Sequence, residues 1–374
     1  MTQDRPELIP PSEAADPGSA PETGSWEAQR GQWAPPSIPV PQHRAPGAGT
    51  PGWDQSAPWA PPTYPPPDAN IRRSPLPGEP TSYPQFWRPA TRGLPIAASL
   101  LMGAIFLVVT TVVVAVAILA SGTDDLTAIV AGEFTPGVVL ANSVAIALVL
   151  PFSFLVARIT GQRPGYLSSV VGRFRWGFFW KCVAVAAAVL LVYMGVPILF
   201  TGVGDLGLAV RDYSWWLLIG LLLVTPFQAA AEEYLLRGFV YRTVGSWFAA
   251  PMVAAVVGGL VNSLIFAAIH LSTDPWLNLT YFSIGAIASY LVWRTGGLEA
   301  AVALHIVNNM IGMGLLPFQD LATQFDRSAG AAGAEVLLQL LAFAVSAWLI
   351  VLVAKRSRVA RLGPERPTVN PEMV

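Results

Sequence analysis

The stretch LLMGAIFLVVTTVVVAVAILA, residues 100–120, has no charged residue and no strand-like alternation of polar and apolar positions. At about 1.5 Å of rise per residue it makes a helix of roughly 30 Å, the thickness of a bilayer's hydrocarbon core. Buried helices of soluble proteins are rarely so long and so apolar on every side. The stretch reads as a membrane span, and it decides the class of the chain.

Working outward, comparable apolar runs cover about 95–121, 136–157, 177–202, 215–245, 250–271, 276–294, 298–318 and 332–354. The expected fold is an all-α polytopic membrane protein of about eight transmembrane helices. Composition agrees: of 374 residues, 53% are apolar and only 12% charged, so a soluble globular class is excluded. A formal net charge of −1 offers no basic field for a nucleic-acid partner. The single cysteine, Cys182, rules out an intrachain disulfide and sits among apolar neighbours as a small core residue.

The composition changes near residue 90. Segments such as APPTYPPPDANIRRSPLPGEP, rich in Pro, Gly, Ser and Ala, cannot assemble an apolar face on any helix or strand. Residues 1–90 are expected to be a disordered, Pro-rich cytoplasmic tail, residues 91–355 the eight-helix membrane domain, and 356–374 a short basic cytoplasmic tail. No basic-then-apolar secretory signal opens the sequence, so the first span is expected to act as its own insertion signal.

Orientation follows from the basic residues of the short connections. Arg88 and Arg92, then Arg158, Arg163, Arg173 and Arg175, then Arg242, Arg294, Lys355, Arg356 and Arg358 all fall on one side, whereas the alternate connections are acidic or nearly uncharged. Both termini are therefore expected in the cytoplasm. Trp176, Trp215, Trp276 and Trp293 lie near the proposed boundaries, as interfacial anchors do.

Ionisable residues inside such spans are costly and default to function. In AAAEEYLLRGFVY, residues 229–241, Glu233 and Arg237 are four apart with the acid first, the favoured order for a helical ion pair. Glu232 is rotated by about 100° and has no such local partner. Its partner must be cationic, metallic or protonatable. Apart from His43 in the tail, the chain has only His270, in NSLIFAAIHLS, and His305, in ALHIVNNMIG. Asn262, Phe266 and His270 share one helical face, as do His305 and Asn309. A buried carboxylate can take a proton from water, a histidine can exchange it, and an amide with a second histidine can donate to a developing oxyanion.

EEYLLRG, then FAAIH, then HIVNN resemble, in order, the EExxxR, FxxxH and HxxxN (or HxxxB) motifs of the CPBP (Abi) family of intramembrane proteases, which includes the type II CAAX prenyl endopeptidases (Ras-converting enzymes) and bacterial bacteriocin-processing or self-immunity proteins. The lead-in RTGGLEAAVALHIVNN resembles the approach to the third motif, and the likeness covers roughly residues 210–312. The resemblance implies that Glu232 and His270 activate the attacking water, that His305 and Asn309 stabilise the oxyanion, and that Glu233, Arg237 and Phe266 support them. It implies an intramembrane endopeptidase acting on a peptide or membrane-associated protein. It leaves the cofactor open between none and a divalent metal such as zinc held by Glu232, His270 and His305. No HExxH is present, and the glutamate mechanism is preferred.

Two other readings stand beside this one: a non-catalytic immunity or scaffold protein of the same fold, and a proton-coupled transporter. The second lacks an inverted repeat of broken apolar segments. Rise per residue raises one conflict, since it sets His270 near the opposite end of its span from Glu232 and His305. Glu299, ahead of the third motif, is expected at a boundary facing water.

Overall fold

The computed structural model describes residues 76–121 and 134–363, except 78, 89 and 91. Among the described residues, eight long helices follow one another: α1 (Gly93–Ser121), α2 (Pro136–Ile159), α3 (Trp176–Thr201), α4 (Ser214–Gly245), α5 (Pro251–Ala268), α6 (Pro275–Thr295), α7 (Glu299–Leu315) and α8 (Val336–Arg356). Seven of them are long and apolar enough to cross a bilayer, and the protein is a multi-pass membrane protein. The eighth, α6, has the length but is interrupted by Asn278, Thr280, Ser283 and Ser289. It packs between α5, α7 and α8, where neighbouring helices shield its polar positions from lipid.

Local chemistry sets several ends. Asp274 caps α6 by accepting from the Leu277 N–H at 2.8 Å, Pro275 occupies the first turn, and Gly296 at φ 68° ends the helix. Proline costs nothing in a first turn, where its missing N–H would be unpaired anyway. Pro251 opens α5 in the same way.

The helix α7 is the centre of the bundle, with Glu299 through His305 all buried, against α3, α4 and α6. At the periphery α1 exposes Leu100, Leu107, Val108, Val112, Val116 and Leu119. Such an apolar surface suits a lipid-facing helix.

α4 is not a uniform α-helix. Residues Tyr234–Tyr241 form a π-helical segment, with ordinary α-helix before and after it. Helices of this i to i+5 type are rare and cluster at functional sites. Nothing in the apolar pattern of the span announced it.

Two expectations are corrected. The packed structure begins ahead of residue 90: Tyr83, Phe86 and Trp87 are buried, and Thr81–Ser82 (β1) pairs antiparallel with Leu362–Gly363 (β2). The three rings enclose the guanidinium of Arg242, at 5.1, 5.6 and 4.9 Å from their centroids. Arg242 is fully buried without an acidic partner among the described residues, and the aromatic faces take that place. A search for helix and strand periodicity passes over such a cluster because it has neither. The rest of the expected tail, residues 1–75, lies outside the described residues.

Glu299 does not face water. It is 0% exposed and receives Arg175 in a fork, Nη2 to Oε2 at 2.6 Å and Nε to Oε1 at 2.8 Å. Arg175 also donates to the carbonyls of Thr295 and Ala360. The planar guanidinium matches a carboxylate in this bidentate way and thereby fixes the start of α7 against the start of α3.

Candidate active site

The four motif residues line one cavity of about 380 Å3, shared by Glu232, His270, His305 and Asn309 with Gln228, Phe266, Tyr281 and Arg327. The conflict over depth is thereby removed. α4 continues to Gly245, thirteen residues beyond Glu232, or roughly 20 Å at helical rise, so the glutamate lies deep. α5 ends at Ala268, and His270 follows in the turn, just before Leu271, a non-glycine residue at φ 52°. That left-handed residue turns the chain immediately after the histidine.

Glu233 and Arg237 form the expected pair at 2.8 Å, both fully buried. The same oxygen, Glu233 Oε1, also accepts from His305 Nδ1 at 2.8 Å. Arg237 reaches the Gly285 carbonyl at 3.2 Å and lies 4.9 Å from the Phe266 ring centroid. Gly285 also lets α6 lie close against α5, since a Cβ there would stand 2.9 Å from the Ser263 Cα. Asn262 completes the support: with its amide turned to suit its neighbours, its oxygen accepts from Arg237 Nε at 3.1 Å and its nitrogen donates to the Leu236 carbonyl at 3.0 Å. Phe266 and Asn262 thus act through Arg237, on the face predicted for them.

Glu232 is held differently. Its Oε1 accepts from Gln228 Nε2, and its Oε2 faces His305 Nε2 at 3.6 Å, beyond hydrogen-bond length. His305 therefore stands between the two glutamates, bonded to one and facing the other. With Nδ1 donating to Glu233, its Nε2 is the nitrogen turned to Glu232 and the cavity. His270 is fixed on its other side: Nδ1 donates to the Phe266 carbonyl at 2.7 Å, and the ring stacks on Tyr281 with centroids 3.9 Å apart. In the neutral ring this leaves Nε2 as the acceptor.

Asn309 belongs to a chain of amides. Gln339 of α8 donates to Asn308 at 3.3 Å, Asn308 to Asn309 at 3.1 Å, Asn309 to Gln228 at 3.2 Å, and Gln228 to Glu232. Every donor points toward the carboxylate, and each NH2 keeps a second hydrogen for another acceptor. Sequence reading missed Gln228, Asn308, Tyr281, Arg327 and Gln339. Gln228 sits one helical turn before Glu232, a spacing that could have exposed it. Asn308 stands beside Asn309 in HIVNN, whereas Tyr281, Arg327 and Gln339 come from other helices or a loop, and no local pattern marks them.

Among the described residues no three His, Cys, Asp or Glu side chains come close enough to hold a metal ion. Glu232, His270 and His305 line one cavity, with Nε2 of each histidine free, but they are not drawn together at one point. As placed, they do not form the three-ligand point of a catalytic zinc site.

Residues 214–311 match the family described as type II CAAX prenyl endopeptidase, Rce1-like. The matched segment runs from the first residue of α4 to just past Asn309 and so includes all three motifs. An uncharacterized protein of Bacillus subtilis (strain 168), YyaK, is 33% identical over 97 residues, which are 25% of this chain and 32% of that protein. The chain thus spans about a third of that relative's length. No solved structure matches.

Proposed function

From an Rce1-like segment that supplies every motif residue of the cavity, we propose that the protein is an intramembrane endopeptidase hydrolysing a peptide bond of a membrane-associated substrate with glutamate-activated water. One observation carries the reading: Glu232, oriented by Gln228, presents its second oxygen toward His305 Nε2 in a cavity that His270 and Asn309 also line.

The roles follow from the hydrogen bonds. Water bound at Glu232 Oε2 gives its proton to that oxygen as its own oxygen attacks the substrate carbonyl carbon, and His270 Nε2 accepts from the water's other hydrogen and orients it. The tetrahedral oxyanion accepts from His305 Nε2–H and from the free Asn309 amide hydrogen. With His305 protonated, the buried group of Glu232, Glu233, Arg237 and His305 carries two negative and two positive charges, a balanced set for a low-dielectric site. Collapse of the intermediate breaks the C–N bond, and the leaving amine takes the proton from Glu232. No step passes through a metal.

The substrate reaches the site through the cavity or sideways from lipid. Both termini are placed in the cytoplasm on the basic connections. That bias rests on the exposed Arg88, Arg92, Arg158, Arg163, Arg173, Lys355, Arg356 and Arg358, because Arg175 and Arg242 have internal roles.

The test is cleavage of a library of hydrophobic and prenylated peptides by the purified protein and Glu232→Gln, followed by mass spectrometry with and without a strong chelator. Cleavage by the wild type, lost in the variant and indifferent to chelator, is expected. Equal cleavage by both proteins removes Glu232 from the mechanism, and cleavage by neither favours a binding role for the same fold.

A further inference from the structure

Beyond the motif residues, the cavity is lined by one cation that the mechanism does not use. Arg327 lies on the segment between α7 and α8, and its backbone carbonyl is held by three donors of the turn after His270: the Thr273 N–H at 2.8 Å and the Thr273 and Ser272 hydroxyls at 3.2 Å each. That attachment fixes the residue to the His270 side of the site. Its guanidinium rests 5.9 Å from the Tyr281 ring, which stacks on His270, and 5.9 Å from the Phe325 ring.

Nη1 donates to the carbonyls of Gln324 and Asp326, at 3.3 and 3.1 Å, while the Nε and Nη2 edge makes no hydrogen bond with the described residues. No carboxylate lies in ion-pair contact with Arg327 among the described residues, whereas the fully buried Arg237 and Arg242 have a carboxylate and an aromatic cage respectively. A half-buried guanidinium with an open edge is matched by a planar anion that accepts two parallel hydrogen bonds.

Arg327 also lines a second cavity of about 280 Å3, which shares Asn308, Asn309, Met313 and Arg327 with the first and continues toward Gln339 and Met194. Neither cavity presents a carboxylate other than Glu232. The arrangement separates the reacting carboxylate from a cation by a mixed amide and apolar surface, on which an extended peptide can lie with its backbone against Asn308 and Gln339.

We propose that Arg327 is a specificity residue that binds a carboxylate of the peptide substrate close to the scissile bond, with the second cavity receiving neighbouring substrate residues. The proposal rests on the endopeptidase reading for the location of the scissile bond. The carboxylate is either the substrate's C-terminus or an acidic side chain.

The experiment uses one hydrophobic peptide library in three forms: free acid, C-terminal amide, and free acid with Asp and Glu replaced by Asn and Gln. Wild-type, Arg327→Gln and Arg327→Lys proteins are compared in detergent, with thermal unfolding as a control on folding. Removing a charged hydrogen-bond partner is expected to raise KM roughly 10-fold or more with little change in kcat. Wild type should favour the forms that keep the recognised carboxylate, and Arg327→Gln should erase that preference by slowing those forms to the rate of the form that lacks it. Loss on amidation alone assigns the terminus, and loss on Asp and Glu replacement assigns a side chain. Equal cleavage of all three forms by wild type, or an equal slowing of all three by Arg327→Gln, overturns the proposal.

If wild type cuts none of them, the endopeptidase reading falls, and binding of the same peptides is measured directly. A carboxylate preference lost in Arg327→Gln then upholds the anion subsite by itself, and binding without preference, or no binding, refutes it.

Discussion

His305 Nδ1 lies 2.8 Å from Glu233 Oε1, the same oxygen that Arg237 engages from one helical turn away on α4. One carboxylate thus anchors both a buried guanidinium and the imidazole of a different helix. The neighbouring Glu232 meets the same imidazole only across 3.6 Å. The two adjacent glutamates therefore carry different loads, and their near-isosteric variants should fail in different ways.

Glu233→Gln leaves Arg237 buried without its counter-charge and His305 without a strong acceptor, a change that typically costs about 3–5 kcal/mol of stability. Glu232→Gln should unfold close to wild type in detergent while lowering kcat by roughly 10²–10⁴-fold, the range for loss of a general base. Thermal unfolding and turnover measured on both variants give the contrast. Equal destabilisation by the two changes would contradict the division of labour.

The amide chain predicts a graded loss. Gln228→Leu strips a donor from Glu232 and an acceptor from Asn309 and should cost about 1–3 kcal/mol in transition-state stabilisation, whereas Gln339→Leu removes only the far end and should cost about 1 kcal/mol or less. Comparison of kcat/KM across Gln228→Leu, Asn309→Leu and Gln339→Leu tests the order. A flat series would show that the amides act without coupling.

Arg175 and Glu299 tie α3 to α7, where α7 carries His305 and Asn309. Breaking one side by Glu299→Gln should lower stability by about 3–5 kcal/mol, while Arg175→Met combined with Glu299→Leu should recover part of that loss. Unfolding midpoints of the single and double variants are the readout. A double variant no better than the single would mean that Arg175's bonds to the Thr295 and Ala360 carbonyls matter more than the pair.

Acid should loosen the turn beside His270. The backbone N–H of Leu277, and that of Gly330, hold the Asp274 carboxyl below the ordinary aspartate range. Its folded-state pKa is thus lower than its unfolded value of about 3.9, so its stabilising effect is full above that value and fades as pH falls through the depressed one. Asp274→Asn should be less stable than wild type at neutral pH, with the difference closing in strong acid. A pH-independent difference would assign the effect to packing.

The sequence reading went wrong where partners came from afar. Glu299 looked like a boundary residue because nothing within a helical turn could pair with it, and its partner Arg175 is 124 residues away. Tyr83, Phe86 and Trp87 were swept into a Pro-rich tail because their cluster lacks periodicity, yet they enclose Arg242 at the end of α4. His270 seemed stranded because its run was carried on to residue 271, whereas α5 ends at Ala268 and the turn that follows brings His270 to the cavity of Glu232.

The sequence by itself determined the membrane class, the long helices, the Glu233–Arg237 pair and the set of residues to watch. All of these follow from neighbours within a few turns, where rise and rotation per residue are fixed by the backbone. Only the tertiary structure decided that His305 is bonded to Glu233 and faces Glu232, that amides from α8 to α4 lead to Glu232, and that Arg327 overlooks the cavity. These depend on how far each helix is turned about its axis and how deep it sits, and packing between helices sets both.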